Sequence, residues 1–174
     1  TFKILKMKGL DASTTDYFDN IQSLDSLLII QMGNGSLTSS DKAKSWQPVF
    51  DSQNGFYSIF SPTIKGDKAY ALSLNFKGAD GLHILEGSIV LNNWKSVSVI
   101  PDFYKSNTAQ LFSDKDNLYL FTQNAFNTSG DNGKTWRTIN RNDSIWHGSL
   151  LMGIAPHKNK LFAFNEIAEL FTKN

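Results

Sequence analysis

The chain has 174 residues, 40% of them apolar and 13% aromatic, with a formal net charge of +1. That length suits one domain with a sizeable core, and the near-neutral charge supplies no field for nucleic acid or an anionic membrane surface. There is no Cys, which excludes disulfides, thiolate catalysis and Cys-based zinc sites.

Taken in order, the chain opens on Thr1-Phe2-Lys3-Ile4, an extended pattern with neither an initiator Met nor signal-peptide features, and reads as processed, trimmed or excised. Asp11–Asn20 has room for one helical turn and holds the aromatic pair Tyr17-Phe18. Leu27–Met32 is an apolar run of strand length, far short of the roughly 18–20 residues of a membrane span. Asn34 follows it, and Ser39-Ser40-Asp41-Lys42-Ala43-Lys44-Ser45-Trp46 then reads as a polar turn closed by a Trp.

The same series recurs three times. Phe56-Tyr57 precedes a Lys-bearing turn at Lys65–Lys68, the β-rich run Ala69–Leu74, and Asn75 with Phe76. A decayed turn, Leu91-Asn92-Asn93-Trp94, closes that repeat. Phe103-Tyr104, the turn Asp114–Asn117, the run Leu118–Gln123 and Asn124 with Phe126 lead to the most specific stretch, Ser129-Gly130-Asp131-Asn132-Gly133-Lys134-Thr135-Trp136. Trp146-His147, His157–Lys160, Leu161–Phe164 and Asn165 begin a fourth repeat, and the chain stops at Ala168–Asn174 where a turn and an outer strand would come next. Trp46, Trp94 and Trp136 stand 48 and 42 residues apart, the length of one four-stranded sheet unit. No segment sustains a 3.6-residue pattern, so no helix of consequence is expected.

The Ser129–Trp136 stretch resembles the Asp box, S/T-x-D-x-G-x-T-W, of sialidases and other repeat β-propellers, and fits it at every defining position. Ser39–Trp46 is a second copy with Ala43 where Gly is usual. The resemblance implies an all-β propeller of about four four-stranded antiparallel blades, mostly of exported, extracellular or periplasmic proteins. It makes Asp41, Trp46, Trp94, Ser129, Asp131, Gly133, Thr135 and Trp136 structural residues of turns remote from any active site. The expected domain is 1–174, with blade repeats at about 17–52, 56–100, 103–142, and 146–174 together with 1–10. In that arrangement Phe2 takes the Trp slot and the N-terminal strand completes the last blade, leaving no open edge. A piece of a longer array, or two chains closing one larger ring, would show the same phase, so both monomer and homodimer stay open.

Alternating connections put the boxes and Lys-bearing turns on one face and the remaining loops on the other. That other face gathers Tyr17, Tyr57, Tyr104 and Trp146 with Asn34, Asn75, Asn124 and Asn165. Aromatic faces with amide groups suit a sugar ring, so these eight form the candidate ligand site, for a glycan or another small polar ligand. The competing reading is plain packing for the rings and turn chemistry for the Asn residues. A protein-binding scaffold is the first alternative, and part of a larger glycoside hydrolase the second.

Catalysis finds little support. The sialidase family grips its substrate carboxylate with three arginines, and this chain has only Arg137 and Arg141, so that triad cannot form. Tyr57 or Tyr104 with Glu166, and the acids Asp102, Asp143 and Glu166, are unfixed by any motif. His83, His147 and His157 lie far apart without metal-ligand spacing, so neither metal nor cofactor is expected.

Overall fold

The computed structural model describes residues 18–32, 35–51, 55–56, 58–74, 81–88, 93–101, 109–122, 125–139, 151–157, 160–165 and 170–173. Every regular element among them is a strand. The first sheet runs in the order β1 (Phe18–Leu24), β2 (Leu27–Met32), β3 (Gly35–Ser39), β4 (Gln47–Pro48). A small hairpin, β5 (Phe50–Asp51) with β6 (Gly55–Phe56), leads on. The second sheet holds β7 (Ser58–Lys65), β8 (Lys68–Leu74), β9 (Leu82–Gly87) and β10 (Lys95–Ile100). The third holds β11 (Ala109–Ser113), β12 (Leu118–Thr122), β13 (Ala125–Ser129) and β14 (Arg137–Ile139). The fourth has three described strands, β15 (Leu151–His157), β16 (Lys160–Asn165) and β17 (Leu170–Lys173). Each sheet is an antiparallel meander in chain order.

The second strands show why these residues fold this way. A sheet covered on both sides buries both sets of alternating side chains, so its central strand reads as a continuous apolar run. In β8, Ala69, Tyr70, Ala71 and Leu72 are all at most 1% exposed. Leu27 and Ile29 meet Ile59, Ala69, Ala71, Leu85 and Trp94 between the first and second sheets. Tyr70, Leu72, Leu82 and Ile84 meet Ala109, Leu111, Leu118 and Leu120 between the second and third. Each such Leu or Ile contributes about 1.5–3 kcal/mol of apolar burial. Gly87 is fixed by close approach, since a Cβ there would stand 2.8 Å from the Trp94 indole.

Hydroxyls stitch the sheets where backbones meet. The buried Ser36 Oγ on β3 accepts the Ile59 N–H at 2.7 Å and donates to the Ile59 carbonyl at 3.3 Å. Ser61 sits at a register shift in β7 with φ +49°, and its Oγ accepts the Leu111 N–H at 2.7 Å. Thr63 and Ser113 share a hydroxyl contact at 2.8 Å. The pairs Ser61–Leu111 and Thr63–Ser113 advance together, so β7 and β11 run side by side in the same direction.

Two details differ from the sequence reading. Residues Phe50–Phe56, for which the sequence suggests no strand, include a hairpin in which Phe50 pairs with Phe56. The helical turn weighed for Asp11–Asn20 falls mostly outside the described residues, and its last three residues belong to β1. The strand expected from residues 1–10 also lies outside them.

Candidate functional site

Asp131 organises the 129–136 turn. Its Oδ1 accepts the Ser129 hydroxyl at 2.8 Å and the Thr135 N–H at 2.9 Å, and its Oδ2 accepts the Thr135 hydroxyl at 2.6 Å. The Ser129 Oγ in turn accepts the Gly133 N–H at 2.9 Å. Asn132 and Gly133 both take left-handed backbone, φ +63° and +81°, which Asn and Gly accept at little cost. The 39–46 turn repeats the network: Asp41 Oδ1 takes the Ser39 hydroxyl at 2.8 Å and the Lys44 and Ser45 N–H groups at 2.9 Å, and Oδ2 takes the Ser45 hydroxyl at 2.6 Å. Here Lys42 and Ala43 are forced to φ +62° and +65°.

These donors set the chemistry. The Ser45 hydroxyl and N–H, then Ser39, hold the Asp41 carboxyl well below the usual carboxylate range. The Thr135 hydroxyl and N–H, then Ser129, do the same for Asp131. A carboxylate so held carries no proton near neutral pH and cannot act as a general acid. Asp114 makes a related turn: its Oδ1 accepts the Asp116 and Asn117 N–H groups at 2.8 and 2.7 Å, and its Oδ2 the Tyr119 hydroxyl at 2.6 Å. Burial, with the Asp114 hydrogen bond and charge, pushes the Tyr119 phenol up to about 12.

The Trp residues differ. Trp46 and Trp94 are 8% and 4% exposed. Trp136 is only partly buried, its indole N–H reaching the Gly133 carbonyl at 3.0 Å and the Ser98 hydroxyl of the second sheet at 3.2 Å. At the decayed turn, Asn93 Oδ1 accepts the Ser88 N–H at 3.0 Å. The Lys-bearing turn of the second sheet and the Asp131 turn of the third share one end of the structure, joined by Lys65 Nζ donating to Asn132 Oδ1 at 2.9 Å.

One polar cluster escaped the sequence reading. Glu86 Oε1 accepts Lys68 Nζ at 3.0 Å and faces Lys95 Nζ at 3.4 Å, while Oε2 accepts the Tyr70 hydroxyl at 3.1 Å. Burial pushes the Glu86 carboxyl up, but the Lys68, Tyr70 and Lys95 contacts outweigh it and hold it low. Burial and then Glu86 push the Tyr70 phenol well above its ordinary value. The signal lay only in register: Tyr70 and Lys95 are the two cross-strand partners of Glu86. His83 is buried, with Nδ1 3.0 Å from the Ser96 hydroxyl. Among the described residues no three His, Asp or Glu come together as a metal site.

Of the eight candidate ligand residues, Tyr17, Tyr57, Tyr104, Trp146, Asn34, Asn75 and Asn124 lie outside the described residues. Asn165 is the last residue of β16, described for its backbone alone. Asp102, Asp143, Glu166 and Arg141 also lie outside, and Arg137 is exposed on β14. The described strands fix one fact about this end: the ends of β2, β8, β12 and β16 lie opposite the turns that begin each of those strands.

Comparison with known structures identifies the architecture. YCF48 from Cyanidioschyzon merolae superposes with a TM-score of 0.60 at 13% identity, over 94% of this chain and 55% of that one. A structure titled YCF48 bound to D1 peptide gives 0.57 at 12%, over 90% and 49%. The GH74 xyloglucanase from Xanthomonas campestris gives 0.57 at 16%, over 84% and 25%. The extracellular domain of BT4673 from B. thetaiotaomicron gives 0.58 at 14%, over 88% and 20%. The fold is that of a β-propeller. The chain spans about half the length of the YCF48 structures, and a quarter or less of the other two. No protein-family model matches the sequence. No curated protein matches it either. Among the described residues, no helix is long and apolar enough to cross a membrane.

Proposed function

We propose that this chain is a non-catalytic propeller module that binds a glycan or another small polar ligand at the end of its sheets opposite the two Asp-box-like turns. The residues that carry it are Tyr17, Tyr57, Tyr104 and Trp146 with Asn34, Asn75, Asn124 and Asn165. The supporting observation is the saturation of the other end: both carboxylate oxygens of Asp41 and of Asp131 are taken up by their own turns. In this reading the aromatic and Asn positions fall at the opposite end, where propellers gather ligands around the axis. Four repeated weak contacts also supply the multivalency that sugar binding needs. In this reading residues 1–174 form one domain of four blades, the last completed by a strand from residues 1–10, and the module works outside the cytoplasm, as the BT4673 extracellular domain does by its title.

A second reading, a protein-binding scaffold, draws on the neighbour titled as bound to a D1 peptide. A third, that the chain is part of a larger hydrolase, draws on the xyloglucanase. Titration of the intact chain with oligosaccharides, followed by tryptophan fluorescence, separates them. Binding that is lost in Trp146→Ala and Tyr57→Ala supports the glycan reading. A flat response across neutral, acidic and xyloglucan-derived oligosaccharides, with an extended peptide bound instead, would overturn it in favour of the scaffold. Release of reducing ends from the same oligosaccharides would favour the hydrolase.

A further inference from the structure

The 129–136 turn needs left-handed backbone at two successive positions, and the residues that supply it carry a chemical liability. Asn132 and Gly133 stand at φ +63° and +81°. Asn and Gly are the residues that enter this region most easily. A Cβ at 133 would also stand 3.2 Å from Ile84 Cγ2 of the second sheet. Folding therefore favours Asn-Gly here. The same dipeptide leaves the backbone nitrogen of its second residue unhindered by a side chain, and that nitrogen can attack the side-chain amide of the first.

The attack has a defined course. The Gly133 nitrogen gives up its proton and bonds to Asn132 Cγ, the Cγ–Nδ2 bond breaks, and ammonia leaves with that proton. Water then opens the succinimide ring at either carbonyl and leaves aspartate or isoaspartate at 132. The folded turn blocks the first step in three ways. Gly133 is buried, and its N–H donates to Ser129 Oγ at 2.9 Å. Ser129 Oγ is ready to accept because its own proton goes to Asp131 Oδ1 at 2.8 Å. The Asn132 side chain is tied to the second sheet, with Lys65 Nζ donating to Oδ1 at 2.9 Å. Finally, a non-Gly residue at this φ lies in the narrow left-handed well, where Cβ and the following nitrogen stand on opposite sides of the Cα–C bond. Ring closure requires them on the same side.

We infer that Asn132 is a latent deamidation site, sealed by the folded turn and reached only when that turn opens. Modification there is one-way. Isoaspartate adds a backbone carbon between positions 132 and 133 and displaces Gly133. The Gly133 carbonyl accepts both the Ser98 hydroxyl of the second sheet and the Trp136 indole N–H of the third. A turn that has opened and reacted therefore cannot rebuild the contact between the two sheets. The 39–46 turn is the internal contrast: Lys42 and Ala43 hold the same two positions, at φ +62° and +65°, and offer no amide to attack. The site is separate from the ligand face proposed above and does not rest on it.

The test is to hold the intact 1–174 chain in mildly alkaline buffer, folded and in concentrated urea, and to follow the 116–134 tryptic peptide by mass spectrometry. Fragmentation assigns the one-unit mass gain to Asn132. The expected result is conversion at Asn132 slower in the folded chain than in urea by about tenfold or more, because reaction waits on local opening. Ser129→Ala, with its β-sheet circular dichroism kept, should convert faster than the parent, toward the urea rate. Equal rates for the parent folded and in urea would overturn the inference, as would a folded Ser129→Ala variant that converts no faster than the parent. The parent's own ratio decides the matter if Ser129→Ala fails to fold.

Discussion

At the scale of single residues, the two Asp turns form an internal experiment, because the same hydrogen bonds are built on Asn132-Gly133 in one and Lys42-Ala43 in the other. A left-handed conformation costs a residue with a Cβ about 1–2 kcal/mol, part of which glycine gives back in unfolded-chain entropy. Ala43→Gly is expected to stabilise the chain by about 0.5–1 kcal/mol in denaturant unfolding. Gly133→Ala should do the reverse and cost about 1–2 kcal/mol, since its Cβ would also stand 3.2 Å from Ile84 Cγ2. Equal effects of the two substitutions would show that the turns are not built alike. The pH dependence follows from the same networks. A carboxyl held low in the folded state contributes stability that is full above the unfolded pKa of about 4 and is lost as pH falls toward the folded value. The chain should therefore lose stability below about pH 4, and an Asp41→Asn/Asp131→Asn double variant should show a shallower acid slope in urea titrations. These turns were legible in the sequence because the residues that make each network lie within one eight-residue stretch. The partly buried Trp136 was not, since its exposure depends on Ser98 and the neighbouring sheet.

At the scale of elements, the second strand of each sheet was legible, whereas the fully buried β3 and β9 were not. Leu27–Met32, Ala69–Leu74 and Leu118–Gln123 read as strands because packing on two sides demands continuous apolar runs. The Phe50–Phe56 hairpin was not, being two residues a side with no alternation to read. The hydroxyl stitches were also invisible, since Ser36 and Ile59 are 23 residues apart and Ser61 and Leu111 are 50 apart. They set how closely one sheet can approach the next. Removing the Ser36 hydroxyl leaves the Ile59 N–H buried without its acceptor, which costs about 1–3 kcal/mol. Ser36→Ala and Ser61→Ala are each expected to lower stability by that amount, and their effects should add, because they act at different sheet boundaries. A Ser36→Ala variant as stable as the parent would mean that the boundary between the first two sheets relaxes around the loss.

At the scale of the whole molecule, the repeat pattern carries the antiparallel meanders but neither a blade count nor a closure. Local patterns specify each meander, whereas ring size depends on small angles between sheets summed around the axis, set by contacts such as Tyr70 on Leu111 that no motif records. The proposed ligand rim lies almost wholly outside the described residues, so it remains the sequence's own reading. The fourth sheet gives the sharpest global test. Its described strands number three where the other sheets have four, and β17 pairs along β16 alone among the described residues. An edge strand left unpaired is a liability that chains cover, and the proposed cover here is the strand from residues 1–10. A variant lacking residues 1–10 should then lose about 2 kcal/mol or more, a fall of roughly 4–8 °C in Tm for a domain of this size. Its amides at Leu170–Lys173 should exchange faster while those of Leu118–Thr122 hold, and it should aggregate at the bared edge. Unchanged protection at β17 would show that residues 1–10 leave that edge alone, and the fourth sheet would need another partner.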